Sequence, residues 1–509
     1  MSGALFEPDF DAFGPDYDAG RPQLLVTRLV ADLETPVSAY LKLTRDRRGA
    51  AFLLESVEGG AARGRYSMIG LDPDLVFRVV GDRAEINRAA LDGANGFTPC
   101  DAAPLDALRQ LIAESAVPQA VGLPPMAAGV FGYLGYDMVR QMERLAPAKA
   151  DKIGVPDALF VRPTSMIVFD TVRDEISIVT PVRPKSGVAA KPAYEAALAR
   201  LDKVVATLEA PLEHRDGGTH AQLHAQEPVS NTPQSHFLEM VERAKEYIRA
   251  GDIFQVVLSQ RFTAPFALPA FALYRALRRV NPAPFLCFLD FGDFQIVCSS
   301  PEILVRVADG KVTIRPIAGT RWRSEVKAED ERLAADLLAD EKERAEHLML
   351  LDLGRNDVGR VAKTGTVRVT DSFTIERYSH VMHIVSNVEG DLDARHDCIE
   401  ALAAGFPAGT VSGAPKVRAM EIIDELEADK RGIYGGCIGY FGAGGQMDTC
   451  IVLRTAIVKD GKMHVQAGAG VVYDSEPEYE NRECVNKAKA LFRAAEEAVR
   501  FATRARRGQ

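Results

Sequence analysis

The sequence predicts an α+β fold built mostly on antiparallel sheets, and three observations carry that prediction. Short runs alternating like strands outnumber tidy strand–helix–strand units over the 509 residues. Gly and Pro break these runs at the intervals expected of hairpins and loops. Long helical stretches, at about 328–351, 415–428 and 477–502, stand between groups of strands and do not alternate with single ones.

Along the chain, residues 1–22 are acidic and read as a flexible tail. Residues 24–90 alternate as strands, as in AAFLLESV and DLVFRVV, and MAAGVFGYLGY (126–136) is a closely packed strand or turn. FVRPTSMIVFD and EISIVT are strands, followed by an amphipathic helix over about 193–209 that closes an N-terminal region 23–209. Residues 210–232 are polar and aperiodic, which marks a linker before a second region, 233–502. That region opens on a helix with Thr232 as N-cap, Pro233 at its first position, an apolar stripe of Phe237, Val241, Ala244 and Ile248, and Gly251 at its end. IFQVVLSQRF, PFLCFLDF, FQIVCSS, CIGYFG, TCIVLRTAIV and HVQAGAGVV follow as strands.

The bulk numbers exclude several classes. An apolar share of 47% and a charged share of 26% are those of a soluble globular protein. The net charge of −10 argues against nucleic acid or an anionic membrane as partner. Seven cysteines without a CxxC argue against a disulfide framework or zinc finger and suit a reducing cytoplasm. No signal peptide and no run of 18 apolar residues is present. GAGV at 468–471 lacks the third Gly of a dinucleotide site, and GTVSGAPK at 409–416 lacks the GK[ST] of a phosphate loop. Cys437 lies in a run like a glutaminase nucleophile elbow, but no His-x-Glu partner follows it.

Two glutamate pairs carry the chemistry. Glu343/Glu346 and Glu480/Glu483 each have i,i+3 spacing within predicted helix, so each pair lies on one helix face. Four converging carboxylates call for a cation, and Mg²⁺ suits oxygen ligands. If the helices face each other this is a metal site; if not, these are ordinary charged faces. Ala467 to Gly470 offer unobstructed backbone N–H groups, Arg454 a bidentate anion clamp, and Lys487 a further charge, which together suit a small multiply anionic substrate.

PIAGTR (316–321), DEKERAEHLMLLDLGRND (340–357), ERYSHVMHIVS (376–386), AGTVSGAPKVRA (408–419), DTCIVLRTAI (448–457) and QAGAGVVYDSEPEYENRE (466–483) resemble the chorismate-utilising enzymes, densely over about 231–500. The resemblance implies two mostly antiparallel β-sheets sandwiched between helices in one large intertwined unit. It implies Glu346 and Glu483 as Mg²⁺ ligands with Glu480 alongside, Glu343 as general acid/base, and His383 near the departing C4 hydroxyl, with His380 structural. It implies that Gly319, Thr320, Thr410, Tyr434, Arg454, Gly468, Ala469, Gly470 and Lys487 bind chorismate.

Members of the family differ in their nucleophile. Those that use water carry a lysine where this chain has Gln255, and aminodeoxychorismate synthases often carry a nucleophilic lysine where it has Ala318. The lack of both points to the branch that converts chorismate and ammonia to anthranilate and pyruvate, the first committed step of tryptophan biosynthesis. LLES (53–56) and NPAPFLCF (281–288) resemble that branch's tryptophan-sensing elements, which implies an inhibitory site of Leu54, Glu55, Ser56, Asn281, Pro282, Pro284, Phe285, Leu286 and Cys450. No complete glutaminase signature occurs, so ammonia is expected from a separate glutamine amidotransferase subunit in a hetero-oligomer. Two rivals stay open: an aminodeoxychorismate synthase without the lysine, and a non-catalytic chorismate- or tryptophan-binding regulator.

Overall fold

Alternating burial along the strands decides the architecture. In the strand Tyr66–Val80, every second residue from Leu71 to Val79 is buried, and Ala158–Asp170 beside it is buried throughout. A strand buried throughout is covered on both faces, so the sheet must be enclosed. The computed structural model describes residues 6–47, 49–56, 64–93, 96–118, 122–212, 227–378 and 381–504. All its strand pairings are antiparallel and form one continuous network.

That network folds into two layers. The first runs, in spatial order, through Gln23–Val30, Glu175–Val182, the end of Ala158–Asp170, the start of Tyr66–Val80, Ala51–Ser56, Phe285–Asp290, Phe294–Ser300, Thr455–Lys459, Lys462–Val471 and Gln255–Pro265. The second runs through Arg83–Asn87, the other halves of the two long strands, Gly129–Leu134, Cys437–Gly442, Met447–Ile451, Ile303–Ala308, Lys311–Ile314, Val381–Asp391 and Arg368–Arg377. A register shift between Pro73 and Leu75 lets the two long strands pass from one layer to the other.

Side chains from both layers meet in a common core that includes Leu54, Met68, Phe131, Tyr133, Cys298, Tyr440 and Cys450. Phe52 of the first layer stacks on Phe131 of the second at 4.7 Å between ring centres. Helices Phe10–Asp18, Pro36–Thr44, Ala190–Glu209, Gln234–Arg249, Ala270–Val280 and Pro477–Arg504 cover the outer face of the first layer, Lys416–Leu426 packs at its Gln255–Pro265 edge, and Pro104–Glu114 and Cys398–Gly405 cover the second layer. The expected sandwich of two sheets between helices is therefore observed. The regions 23–209 and 233–502 are interleaved within it, since Ala51–Ser56 pairs with Phe285–Asp290.

Four local expectations are corrected. The tail contains the helix Phe10–Asp18, which buries Phe13 and Tyr17 against the rest of the molecule. The helix after the linker starts at Gln234, with Pro233 as its cap residue and the Thr232 hydroxyl donating to Asn231 instead. The expected linker lies largely outside the described residues, and its end, Val229–Ser230, is a strand on Gln255–Pro265. The expected helix 328–351 is two helices, Lys327–Ala339 and Glu341–Gly359. Asp340 separates them and caps the second, accepting from the backbone N–H groups of Lys342 and Glu343 at 3.0 and 3.1 Å.

Candidate active site

The break at Asp340 places Glu343 and Glu346 in the opening turns of the helix Glu341–Gly359, where the helix dipole favours carboxylates. Glu480 and Glu483 hold the same place in Pro477–Arg504, with Pro at its first position. The two helices face each other. Burial raises the pKa of Glu346 first, and the charges of Glu343 and of Glu483 on the opposite helix raise it further, while Lys487 opposes them. Glu480 is buried and also raised, by desolvation and then by Glu483, and Lys342 of the first helix acts on it. Four carboxylates thus share a site with two lysines, a balance that a divalent cation would neutralise. Lys487 is fixed by its Nζ, which donates to the Gly468 carbonyl at 2.9 Å and pairs with Glu483 at 2.6 Å.

The strand Lys462–Val471 forms the floor, and its glycines are there for space. A Cβ on Gly468 would lie 2.8 Å from the Tyr434 hydroxyl, and one on Gly470 would lie 2.6 Å from the Gln255 amide nitrogen. Ala469 points the other way, into the core. Gln255 is buried, and its amide oxygen has no partner among the described residues. Tyr434 lies under the guanidinium of Arg431, which is itself buried against Glu427 and donates to the carbonyls of Val411 and Val257.

A second cluster adjoins this floor. His383 donates through Nδ1 to the Gly319 carbonyl at 2.7 Å, which leaves Nε2 with its lone pair. Burial holds its pKa down at about 4, so the ring is neutral near pH 7. Gly319 has φ of +72° and packs against Glu343, where a Cβ would come within 3.0 Å of the carboxylate. Thr320 lies 3.2 Å from the same ring nitrogen. Arg454 is close enough to act on His383, and its guanidinium has no hydrogen bond or ion pair among the described residues, so it is available to an anionic ligand. Burial pulls its pKa down, which is the cost of holding that charge unpaired.

The structure adds one residue that the sequence reading missed. Glu302 is buried, and desolvation pushes its pKa up to about 8, against weaker lowering by Thr410 and the Ile317 backbone. It acts on Tyr378, whose ring lies 5.4 Å from His383. A carboxyl raised to about 8 and a histidine lowered to about 4, linked through Tyr378, are two titratable groups whose environments push them apart. Its only sequence signal was a lone Ser-Pro-Glu between two strands. Arg321 ties Glu343 to the preceding helix, pairing with Asp336, Asp340 and Glu343 at 2.8, 2.8 and 3.3 Å.

The expected tryptophan residues are only partly brought together. Leu54, Phe285 and Cys450 contribute to the layer between the sheets, and Ser56 sits directly opposite Phe285. Strand alternation sends Leu286 to the helix-covered face. Glu55 also turns that way, accepting from Tyr274 and from Arg278 at 2.9 and 3.1 Å, so its side chain is occupied. Asn281, Pro282 and Pro284 lie between the helix Ala270–Val280 and the strand Phe285–Asp290. His380 lies outside the described residues.

The chain matches the chorismate binding enzyme family over residues 51–493 and belongs to it. Among its relatives, anthranilate synthase component 1 of Cereibacter sphaeroides is 56% identical, covering 98% of this chain and 99% of the relative. The protein of that name from Thermus thermophilus is 48% identical, covering 92% and 97%. The crystal structure of anthranilate synthase component I from Streptococcus pneumoniae superposes with a TM-score of 0.74 at 38% identity, over 91% of this chain and 98% of that one. The menaquinone-specific isochorismate synthase of Escherichia coli shares the fold, with a TM-score of 0.70 at 20% identity over 94% and 95%.

Proposed function

We propose that this chain is the chorismate-binding large subunit of an anthranilate synthase, converting chorismate and ammonia to anthranilate, pyruvate and water. The observation that carries the reading is Gln255. A neutral amide, with no ionisable base, fills the space over Gly470, so the site suits a nucleophile that needs no deprotonation. The relatives named above support the same choice.

Glu346 and Glu483 would hold Mg²⁺, with Glu480 beside them; the charge balance of the four carboxylates and two lysines fits a divalent ion. When bound, Mg²⁺ supplies neutralisation of a substrate carboxylate and electron withdrawal from the ring. Arg454 binds the second carboxylate, and Lys487, through Gly468, keeps the floor in register. As ammonia bonds to C2 and the ring double bonds shift to expel the C4 oxygen, Glu302 donates a proton to that oxygen and neutral His383 orients it. Glu343 then removes the C2 proton as the C3–O bond breaks and enolpyruvate leaves, to be protonated to pyruvate. Positioned proton transfer of this kind is worth roughly 10²–10⁴ in rate.

The partner is a separate glutamine amidotransferase, and tryptophan acts at Ser56, Phe285 and Cys450 as feedback inhibitor. No helix among the described residues is long and apolar enough to cross a membrane. One assay tests the reading: incubate the purified chain with chorismate, Mg²⁺ and ammonium, and identify the product. Anthranilate is expected; aminodeoxychorismate, isochorismate or no turnover would overturn it. Glutamine-dependent activity of the chain alone would remove the separate glutaminase.

A further inference from the structure

We propose that Ser299 is a positioning residue that holds Arg454 in place and makes it respond to the tryptophan segment 281–286. The proposal rests on the reading of that segment as an inhibitor site. Ser299 is the penultimate residue of the strand Phe294–Ser300 and is fully buried. Two hydrogen bonds leave it in different directions. Its hydroxyl donates to the Asn281 carbonyl at 2.6 Å, and its backbone N–H donates to the Arg454 carbonyl at 3.2 Å. One residue thus joins the regulatory segment to the unpaired cation of the active site.

The next residues repeat the link. The Ser300 hydroxyl donates to the Ile451 carbonyl at 2.6 Å, and the Ile451 N–H donates to the Glu302 carbonyl at 3.0 Å. Ile451 follows Cys450, the expected tryptophan-site residue on the neighbouring strand, and Glu302 is the proposed acid. Both catalytic groups of this cluster therefore hang on the short stretch 299–302.

Arg454 is the part of this linkage able to switch. Its φ of +47° lies in the left-handed region, which a residue with a Cβ enters only when its surroundings impose it. No side-chain bond among the described residues fixes the guanidinium, so where it points depends on the backbone that carries it. A shift of the Ser299 N–H relaxes that backbone and moves the charge away from a substrate carboxylate. At the other end, the Asn281 amide nitrogen is buried without an acceptor among the described residues. A ligand carrying a carboxylate can take that donor and, in doing so, displace the Asn281 carbonyl that Ser299 holds. Such a ligand prefers one state of the segment, which is what shifting an equilibrium requires.

The test uses the full chain with chorismate, Mg²⁺ and ammonium, with and without tryptophan, and tryptophan binding measured by calorimetry. In Ser299→Ala, the chorismate KM is expected to rise about tenfold while kcat stays within about twofold. Tryptophan should still bind, yet raise KM by no more than about twofold, against the five- to 150-fold range usual for coupled sites. Ser299→Thr, which keeps the hydroxyl, should restore both behaviours, and circular dichroism identifies any variant that fails to fold. An unchanged KM overturns the proposal, as does full tryptophan inhibition of Ser299→Ala, or loss of tryptophan binding by it. A wild-type chain indifferent to tryptophan sinks the reading of the segment itself, and is seen before any variant is compared.

Discussion

At the scale of single residues, the proposed acid and base can be told apart by titration. Glu302, with its pKa near 8, and His383, near 4, bracket neutrality. Activity per unprotonated ammonia should therefore fall as pH rises through about 8, and Glu302→Gln should lower kcat by roughly 10²-fold or more and abolish that alkaline limb. The same residue makes a stability prediction of known sign. Its folded pKa is raised, so its burial costs nothing below the ordinary carboxylate range, and the cost grows from there to about pH 8. Glu302→Gln should thus stabilise the fold at pH 7 by up to about 3 kcal/mol while leaving it unchanged at pH 4, as read by denaturant titration. A loss of stability at pH 7 would show that the carboxyl is ionised. The proposed metal-ligand role is tested by Glu346→Gln and Glu483→Gln, which should each weaken Mg²⁺ binding by more than tenfold in calorimetry with the fold intact. Because Glu346 is raised, protons should already compete with the metal above the usual carboxylate range.

At the scale of elements, the cap at Asp340 aims the first glutamate pair. Asp340→Ala should cost about 1 kcal/mol and raise the requirement for Mg²⁺, since it frees the Lys342 and Glu343 N–H groups and one arm of Arg321. Gly470→Ala should raise chorismate KM at least tenfold by driving the Gln255 amide out of place, with a near-normal melting temperature. The sequence was readable where a period or a long motif existed. The two glutamate pairs and the apolar stripe of Gln234–Arg249 follow helical spacing, and both appear as expected. Signals failed where tertiary burial overrode propensity. The helix Phe10–Asp18 holds Gly14 and Pro15, which read as a break, but burial of Phe13 and Tyr17 fixes it. Asp340 reads as one more acidic helical residue, and only its backbone shows it to be a cap. Glu302 has no pattern around it; what marks it is desolvation, a property of the folded whole.

At the scale of the whole molecule, a buried ion pair joins the site's parts. Glu427 accepts from the Ser259 N–H and hydroxyl, while Arg431 reaches the Val411 and Val257 carbonyls, so Thr410, Tyr434 and the strand Gln255–Pro265 beside the floor share one anchor. Glu427→Gln alone should cost about 3–5 kcal/mol by leaving a buried cation, and removing both charges should cost less than the two single losses summed, a difference a double-mutant cycle will measure.

The pairing of Ala51–Ser56 with Phe285–Asp290 has a consequence for how the protein is made. Early strands of the nascent chain wait for partners more than two hundred residues away, and the first layer is complete only when Lys462–Val471 has been translated. An unpaired apolar edge is therefore exposed through most of synthesis, a state prone to aggregation and dependent on slow, long-range closure. Halves of this enzyme made as separate polypeptides should be insoluble alone and recover activity only when they are produced together.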